Sequence, residues 1–319
     1  LMGYANKSIQ TNYKVTQESV TQAQVEEAQR LVDNITRQIK INVDVRDLNK
    51  LLLELYAVIP RKMKNVKDYL INPITDKRSL ETAQKLIANE QDTLDTMAGQ
   101  VQLIKQQKEA AEKANSNTSV PQQIDILTQM GLEVALIDTN SKEYQMIQKM
   151  MGPNANQTRK VFKVINLKTQ KGFDNHLTKA KNKKTELFWH GSRNENWFNI
   201  IQTGLLIRPA GAVHTGSMFG DGIYGANKAQ KSIGYTSYRG SYWASGNSSN
   251  AYLAVFDFHV GNQKHITNHT YDCYSLNKSK LERDGFDSVY AHGGADLRND
   301  EFIVYDAHQV TIKYLVEIG

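Results

Sequence analysis

Over the first 115 residues, apolar and polar positions alternate with the period of a helix. Ala28, Leu31, Val32, Ile35 and Ile39 recur three and four apart and share one face. Leu48, Leu51, Leu52, Leu55 and Ile59 form a second stripe, with Asp44 placed to cap it and Pro60 to end it. A third and longer stripe runs through Leu80, Ala83, Ile87, Leu94, Met97, Val101 and Ile104. Gly99 is the only glycine between positions 16 and 113, so little interrupts these helices. Each stripe needs a partner to cover it, and a helical bundle is the expected packing. From Lys108 the pattern decays into Asn115-Ser116-Asn117-Thr118-Ser119, which marks a linker and a domain boundary near 115 to 120.

Beyond that boundary the period changes. Leu132 to Ile137, Val161 to Leu167, Leu187 to Trp189, Tyr252 to Val260, Ser288 to Tyr290, Phe302 to Tyr305 and Val310 to Ile318 read as strands. Ser141 is placed to cap a short helix through Tyr144, Ile147 and Met151 that stops at Gly152-Pro153. Few helices separate the strands, so βαβ units are not the pattern, and no Gly-x-Gly-x-x-Gly opens a helix after a strand. The predicted class is α+β: an all-α bundle over residues 15–115, then a mixed, mainly antiparallel two-sheet domain over residues 116–319. Residues 1–14 are set apart as a candidate tail of an upstream module.

Composition narrows the function. The net charge of +6 over 319 residues permits contact with an acidic polymer, although lysines and arginines spread over solvated faces are the commoner cause. No continuous basic tract stands out. No run of about 18 apolar residues exists, so no membrane span is expected, and the N-terminus lacks the order of a signal peptide. Cys273 is the only cysteine, which excludes an intrachain disulfide and a cysteine-based zinc cluster. An intracellular setting is expected, nuclear in a eukaryote and cytoplasmic in a bacterium or virus. No metal site is suggested.

The chemistry gathers between positions 187 and 235. A buried-type strand delivers His190 to Gly191-Ser192, and Trp197, Ile200 and Ile201 repeat at helical spacing as far as Gly204. Gly211, Gly216, Gly220 and Gly222 bracket Met218-Phe219, and Tyr224, Lys231, Ser232 and Tyr235 follow. A histidine, several hydroxyls and two tyrosines around glycines would make a polar, aromatic-walled cleft. Such a cleft suits a flat, carboxamide-bearing, sugar-containing ligand. Taken singly, each residue has a plainer reading: a structural histidine, packing tyrosines, and in Glu301 a solvated turn carboxylate.

Together they resemble a known family. His190-Gly191-Ser192-Arg193, Met218-Phe219-Gly220 with Gly222-Ile223-Tyr224, Lys231-Ser232 with Tyr235, and Asn299-Asp300-Glu301 with Ile303-Val304-Tyr305 resemble the poly(ADP-ribose) polymerase catalytic domain in order and spacing. The resemblance covers residues 120–319. Leu52 to Pro60 (LLELYAVIP) is similar to the Tyr-x-x-Ile-Pro segment of the regulatory helical domain in DNA-damage-responsive members.

The resemblance implies cleavage of the nicotinamide–ribose bond of NAD and transfer of ADP-ribose to protein acceptors and growing chains. NAD is then substrate, and no further cofactor is needed. By the same resemblance, Gly191 and Ser232 hold the carboxamide, while Tyr224 and Tyr235 sandwich the nicotinamide ring. Gly222 belongs to the same NAD-binding set. His190, Ser192 and Asn196 contact ribose. Many DNA-responsive members carry an Arg directly after the Gly-Leu pair; here Leu206 follows Gly204-Leu205, so either Arg208 substitutes or that phosphate or adenine contact is missing. Glu301 is the catalytic carboxylate and Lys231 orients it or the acceptor. His190, Tyr224 and Glu301 form the set that accompanies chain elongation in the family. The helical domain is expected to restrain the enzyme until DNA is sensed through an upstream module. The alternatives are a mono-ADP-ribosyltransferase, or a non-catalytic NAD or ADP-ribose reader acting as a scaffold.

Overall fold

A computed structural model of the chain describes residues 1–116, 125–207 and 218–319. The described residues fall into two compact units, one helical and one mixed.

In the helical unit, α1 (Met2–Asn12) is followed by α2 (Gln22–Gln38), α3 (Val45–Val58) and α4 (Lys77–Ser116). Local chemistry sets their ends. The Thr21 side chain accepts from the Gln24 amide and the Gln24 side chain accepts from the Thr21 amide, a reciprocal capping box that opens α2. The Asp44 carboxylate accepts from the Arg46 amide and opens α3. Ile59 turns extended ahead of Pro60, the conformation that a following proline favours. Most of the predicted stripe residues are buried together with Ile9 and Tyr13 in one core; Leu51 and Leu80 are partly buried against it, and Ile104, half-buried near the end of the stripe, is not part of it.

Two features of this unit were not predicted. Residues 2–12, set apart by the sequence reading, form a helix whose Ala5 and Ile9 are buried in the unit. An antiparallel bridge, Tyr13 to Arg61, ties the end of that helix to the segment after α3. In addition, α4 runs through the stretch read as the start of a linker. Glu109 to Ala114 is rich in strong helix formers, and propensity sustains the helix after its apolar stripe has ended.

The mixed unit opens with α5 (Ile126–Gln129), β1 (Leu132–Leu136), α6 (Lys142–Met151), β2 (Thr158–Asn166) and α7 (Leu167–Lys179). There follow β3 (Thr185–Gly191), α8 (Asn194–Thr203), β4 (Ile223–Gly225), α9 (Ala229–Ile233) and β5 (Ala251–His259). The chain closes with β6 (Gln263–Ile266), α10 (Lys278–Arg283), β7 (Ser288–Ala291), β8 (Glu301–Val304) and β9 (Val310–Ile318).

Two sheets result, in the orders β1-β2-β9-β5-β3 and β4-β8-β7-β6. Every pairing is antiparallel except β6 with β7. This is the α+β architecture expected. A bridge from Trp189 to Ala226 joins the end of β3 to the residue after β4.

The sequence reading ended a strand at Leu167, where the structure begins α7. Asn166 is responsible: its side-chain oxygen accepts from the Lys168 and Thr169 amides, 3.1 Å each, and caps the helix. Its amide nitrogen donates to the Ile201 and Gln202 carbonyls and fastens the end of α8 to the same point. Phe173 alone is buried on α7, too thin a stripe to recognise by period.

Candidate functional site

The site is built where β3, β4, β8 and α9 meet. His190 sits near the end of β3, opposite Ala254 of β5. Its Nδ1 lies 3.2 Å from the Tyr224 carbonyl. A carbonyl only accepts, so Nδ1 carries the hydrogen and Nε2 of the neutral ring presents a lone pair. Trp197 and Phe256 meet the ring edge-on, at 6.4 and 6.0 Å. Burial pushes the imidazole below its ordinary value, against a smaller upward pull from the Tyr224 carbonyl.

Gly191 follows, packed against the carbonyl of Ser232 on α9. A Cβ at this position would overlap that oxygen, so only glycine lets helix and strand approach. Ser232 is buried, and its carbonyl accepts from the Tyr235 amide at 3.0 Å. Ser192 receives the Asn196 amide on its hydroxyl at 3.1 Å. Trp197 Nε1 donates to the carbonyls of Ser192 and Tyr252, pinning α8 to the end of β3 and to β5.

Tyr224 lies on β4 opposite Ile303 of β8. Its hydroxyl donates to the Gly220 carbonyl at 2.7 Å and accepts from the Phe219 amide at 3.1 Å. Burial drives its pKa well above the ordinary phenol value, so the hydroxyl keeps its proton. The Tyr305 hydroxyl donates to the Phe219 carbonyl, so two tyrosines hold the end of the glycine-rich segment. Gly222 meets Ile303 and Val304 where a Cβ would not fit.

Glu301 begins β8 and is 2% exposed, so it is not a solvated turn residue. It pairs in the ladder with Ala291 of β7, and Lys231 Nζ of α9 forms an ion pair with its Oε1. Its neighbour Asp300 accepts from the Gly293 amide at 2.8 Å, the Tyr290 hydroxyl at 2.9 Å and the Asn227 amide at 3.3 Å. Burial pushes the Asp300 carboxyl up, but these donors together bring it below its ordinary value.

The contacts close on themselves. His190 bonds Tyr224, whose strand pairs with the strand of Glu301. Glu301 binds Lys231, the neighbour of Ser232, and Ser232 packs on Gly191, which follows His190. His190, Gly191, Tyr224, Lys231, Ser232 and Glu301 are thus brought into one ring of contacts. Gly222, Ser192, Asn196 and Tyr235 lie on the segments adjoining it, and Asn196 points its amide at Ser192. Arg208, Gly211 and Gly216 lie outside the described residues.

Sequence reasoning missed Trp243, whose indole is stacked with Tyr235 at 6.0 Å and 16° between planes. It also missed the Tyr290–Asp300–Asn227 network. Neither has a local signal: Trp243 and Asn227 lie in irregular segments, and Asp300 stood only as a neighbour of Glu301. Among the described residues, no group of three or more His, Cys, Asp or Glu could hold a metal ion, and no helix is long and apolar enough to cross a membrane.

A family model described as "Poly(ADP-ribose) polymerase catalytic domain" matches residues 141–319. A poly [ADP-ribose] polymerase-like protein of Invertebrate iridescent virus 6 is 32% identical over 187 residues, covering 57% of this chain and 95% of the viral one. Poly [ADP-ribose] polymerase 2-A of Oryza sativa subsp. japonica is 27% identical over 313 residues, covering 86% of this chain and 43% of the rice protein. Poly [ADP-ribose] polymerase of Drosophila melanogaster is 29% identical over 217 residues, 59% of this chain and 21% of the fly protein. The chain therefore spans less than half the length of the rice and fly relatives. The rice match is longer than the catalytic domain and reaches into the helical unit.

Proposed function

The chain belongs to the poly(ADP-ribose) polymerase family, and from that premise we propose that it cleaves NAD at the nicotinamide–ribose bond and builds ADP-ribose chains on protein acceptors. The observation that carries this reading is the closed ring of contacts holding His190, Tyr224 and Glu301 together. NAD fits the donor set. A carboxamide needs a donor and an acceptor together, which the backbone at Gly191 and the hydroxyl of Ser232 supply. The ring needs flat walls, for which Tyr224 and Tyr235 serve. The ribose hydroxyls need acceptors, and Nε2 of the neutral His190 is one.

Breaking the C1′–N bond leaves nicotinamide with the bonding electrons and builds positive charge on the anomeric carbon. The Glu301 carboxylate stabilises that charge and accepts the hydrogen bond of the ribose 2′-hydroxyl. It then draws the proton from the incoming acceptor hydroxyl as the new C1′–O bond forms. Lys231 holds the carboxylate in place for this work through its ion pair. Because Glu301 and Ser232 are buried and held in place by the fold, such interactions act more strongly than in water.

In this reading, the helical unit restrains the transferase and an upstream module relays contact with DNA. The rice match reaches into the helical unit, so that unit as well as the catalytic domain is similar to part of a named polymerase. The enzyme would act inside the cell.

The test is to incubate the chain and its Glu301→Gln variant with labelled NAD, following nicotinamide release and protein-bound label on a gel. The expected result is a ladder from the wild type, and a variant that still binds NAD but makes no ladder, with turnover reduced at least about a hundredfold. A ladder from Glu301→Gln would remove the mechanism. A single sharp band from the wild type would make the protein a mono-transferase.

A further inference from the structure

Of the three tryptophans, Trp189 and Trp197 are fully buried, but Trp243 is 38% exposed. An exposed indole contributes little to a core, yet this one is held firmly. Its amide and that of Ala244 both donate to the Gly234 carbonyl, at 2.9 and 3.1 Å, directly before Tyr235. Arg193 Nη2 donates to the Ala244 carbonyl at 3.2 Å, tying the same turn to the end of β3 that carries His190 and Gly191. The turn is closed by the Gly240 amide on the Gly246 carbonyl and by the Gly246 amide on the Ser241 hydroxyl, at 3.1 and 2.7 Å. Tyr242, 79% exposed, meets the indole edge-on at 4.6 Å. The product of this framework is one geometric fact: an indole plane lying 16° from the plane of Tyr235, with centroids 6.0 Å apart.

We propose that Trp243 is a positioning residue for the nicotinamide end of the NAD site, fixing the ring plane of Tyr235 and thereby setting affinity for the carboxamide-bearing ring. The proposal rests on the reading that Tyr235 walls that subsite. A tyrosine ring at a cleft mouth has torsional freedom that a ligand must freeze. A parallel neighbour removes that freedom beforehand, and pre-organisation of this kind appears as affinity. The effect is expected at the nicotinamide end, because the Trp243 indole stacks on Tyr235 and the turn is fastened to Gly234 directly before it, while the Arg193 bond ties it beside Gly191 of the same subsite.

The experiment compares wild type, Trp243→Ala and Trp243→Phe in the full chain. Benzamide, a nicotinamide mimic, and ADP-ribose, the remaining part of NAD, are each titrated by calorimetry, and kcat and KM for NAD are measured. Trp243→Ala is expected to weaken benzamide and raise KM by about tenfold, with kcat within about threefold of wild type. ADP-ribose affinity should stay unchanged, and Trp243→Phe, which keeps a flat ring, should recover most of the loss. Equal loss for benzamide and ADP-ribose would mean a general structural role, and unchanged benzamide affinity in Trp243→Ala would mean no role; either overturns the proposal. Wild type that binds ADP-ribose but not benzamide would instead sink the nicotinamide reading of Tyr235 itself, and the proposal with it.

Discussion

Two residues show how little latitude the site allows. Gly191 is required because the Ser232 carbonyl occupies the space of a Cβ. Gly191→Ala must push α9 away from β3, and overpacking of this kind costs about 1–3 kcal/mol. The expected outcome is a lower denaturation midpoint together with loss of NAD binding, since Ser232 and Lys231 move with the helix; a variant that binds NAD normally would refute the contact. His190 makes a pH prediction. Burial depresses its folded pKa below the ordinary value of 6.5. As pH falls below that value, the unfolded imidazole takes a proton that the folded one resists, so the unfolded state is favoured and stability declines. His176 is shifted the same way, first by its own burial, so the contribution of His190 is read as a difference. His190→Gln should flatten part of the fall in urea midpoint between about pH 7 and 5; an identical slope would place the ring in water.

At the scale of elements, the helical unit carries a buried ion pair between Arg61, after α3, and Glu90 of α4, 2.8 Å apart with both side chains 7% exposed. Arg61 also lies over the rings of Tyr13 and Tyr69, at 5.4 and 5.6 Å, and donates to the Asn12 carbonyl. One guanidinium thus joins the end of α1, the segment after α3 and the middle of α4. Burial raises the Glu90 carboxyl, outweighing the downward pull of Arg61, which means that desolvation consumes much of the pair's attraction. Removing one partner should therefore be worse than removing both. Arg61→Ala is expected to cost about 3–5 kcal/mol, and the Arg61→Met, Glu90→Leu double variant to recover most of it. Chemical denaturation of wild type and the two variants measures this directly; a double variant as unstable as Arg61→Ala, or less stable, would contradict the account. Periodicity could not announce the pair, because Arg61 stands outside a helix and Glu90 reads as one more polar residue on α4.

For the whole molecule, the division into two units has a functional consequence. The helical unit is packed around one core and the mixed unit around its own, including Ile147, Trp189, Val255 and Val316. Residues 125–319 expressed alone should accordingly fold. If the helical unit restrains NAD access, that shorter chain will turn over labelled NAD faster than the full chain in the absence of DNA. Equal rates from the two would remove the restraint. A shorter chain that is folded by circular dichroism but inactive would assign the helices a supporting role instead.

Much of this protein was legible as pattern. The stripes of α2, α3 and α4, the caps at Asp44 and Ser141, and most strands follow from period and local hydrogen bonding, which are properties of neighbouring residues. His190, Tyr224 and Glu301 were legible through motif order. Their union was not: Glu301 lies 111 residues beyond His190, and only the pairing of β4 with β8 and the Lys231 ion pair bring them together. Sheet order, the parallel β6–β7 pair, the Arg61–Glu90 pair and the stacking of Trp243 on Tyr235 likewise join residues far apart or irregular in the chain. Local propensity carries no information about such partners, because their stabilisation arises only when the folded chain brings the two side by side.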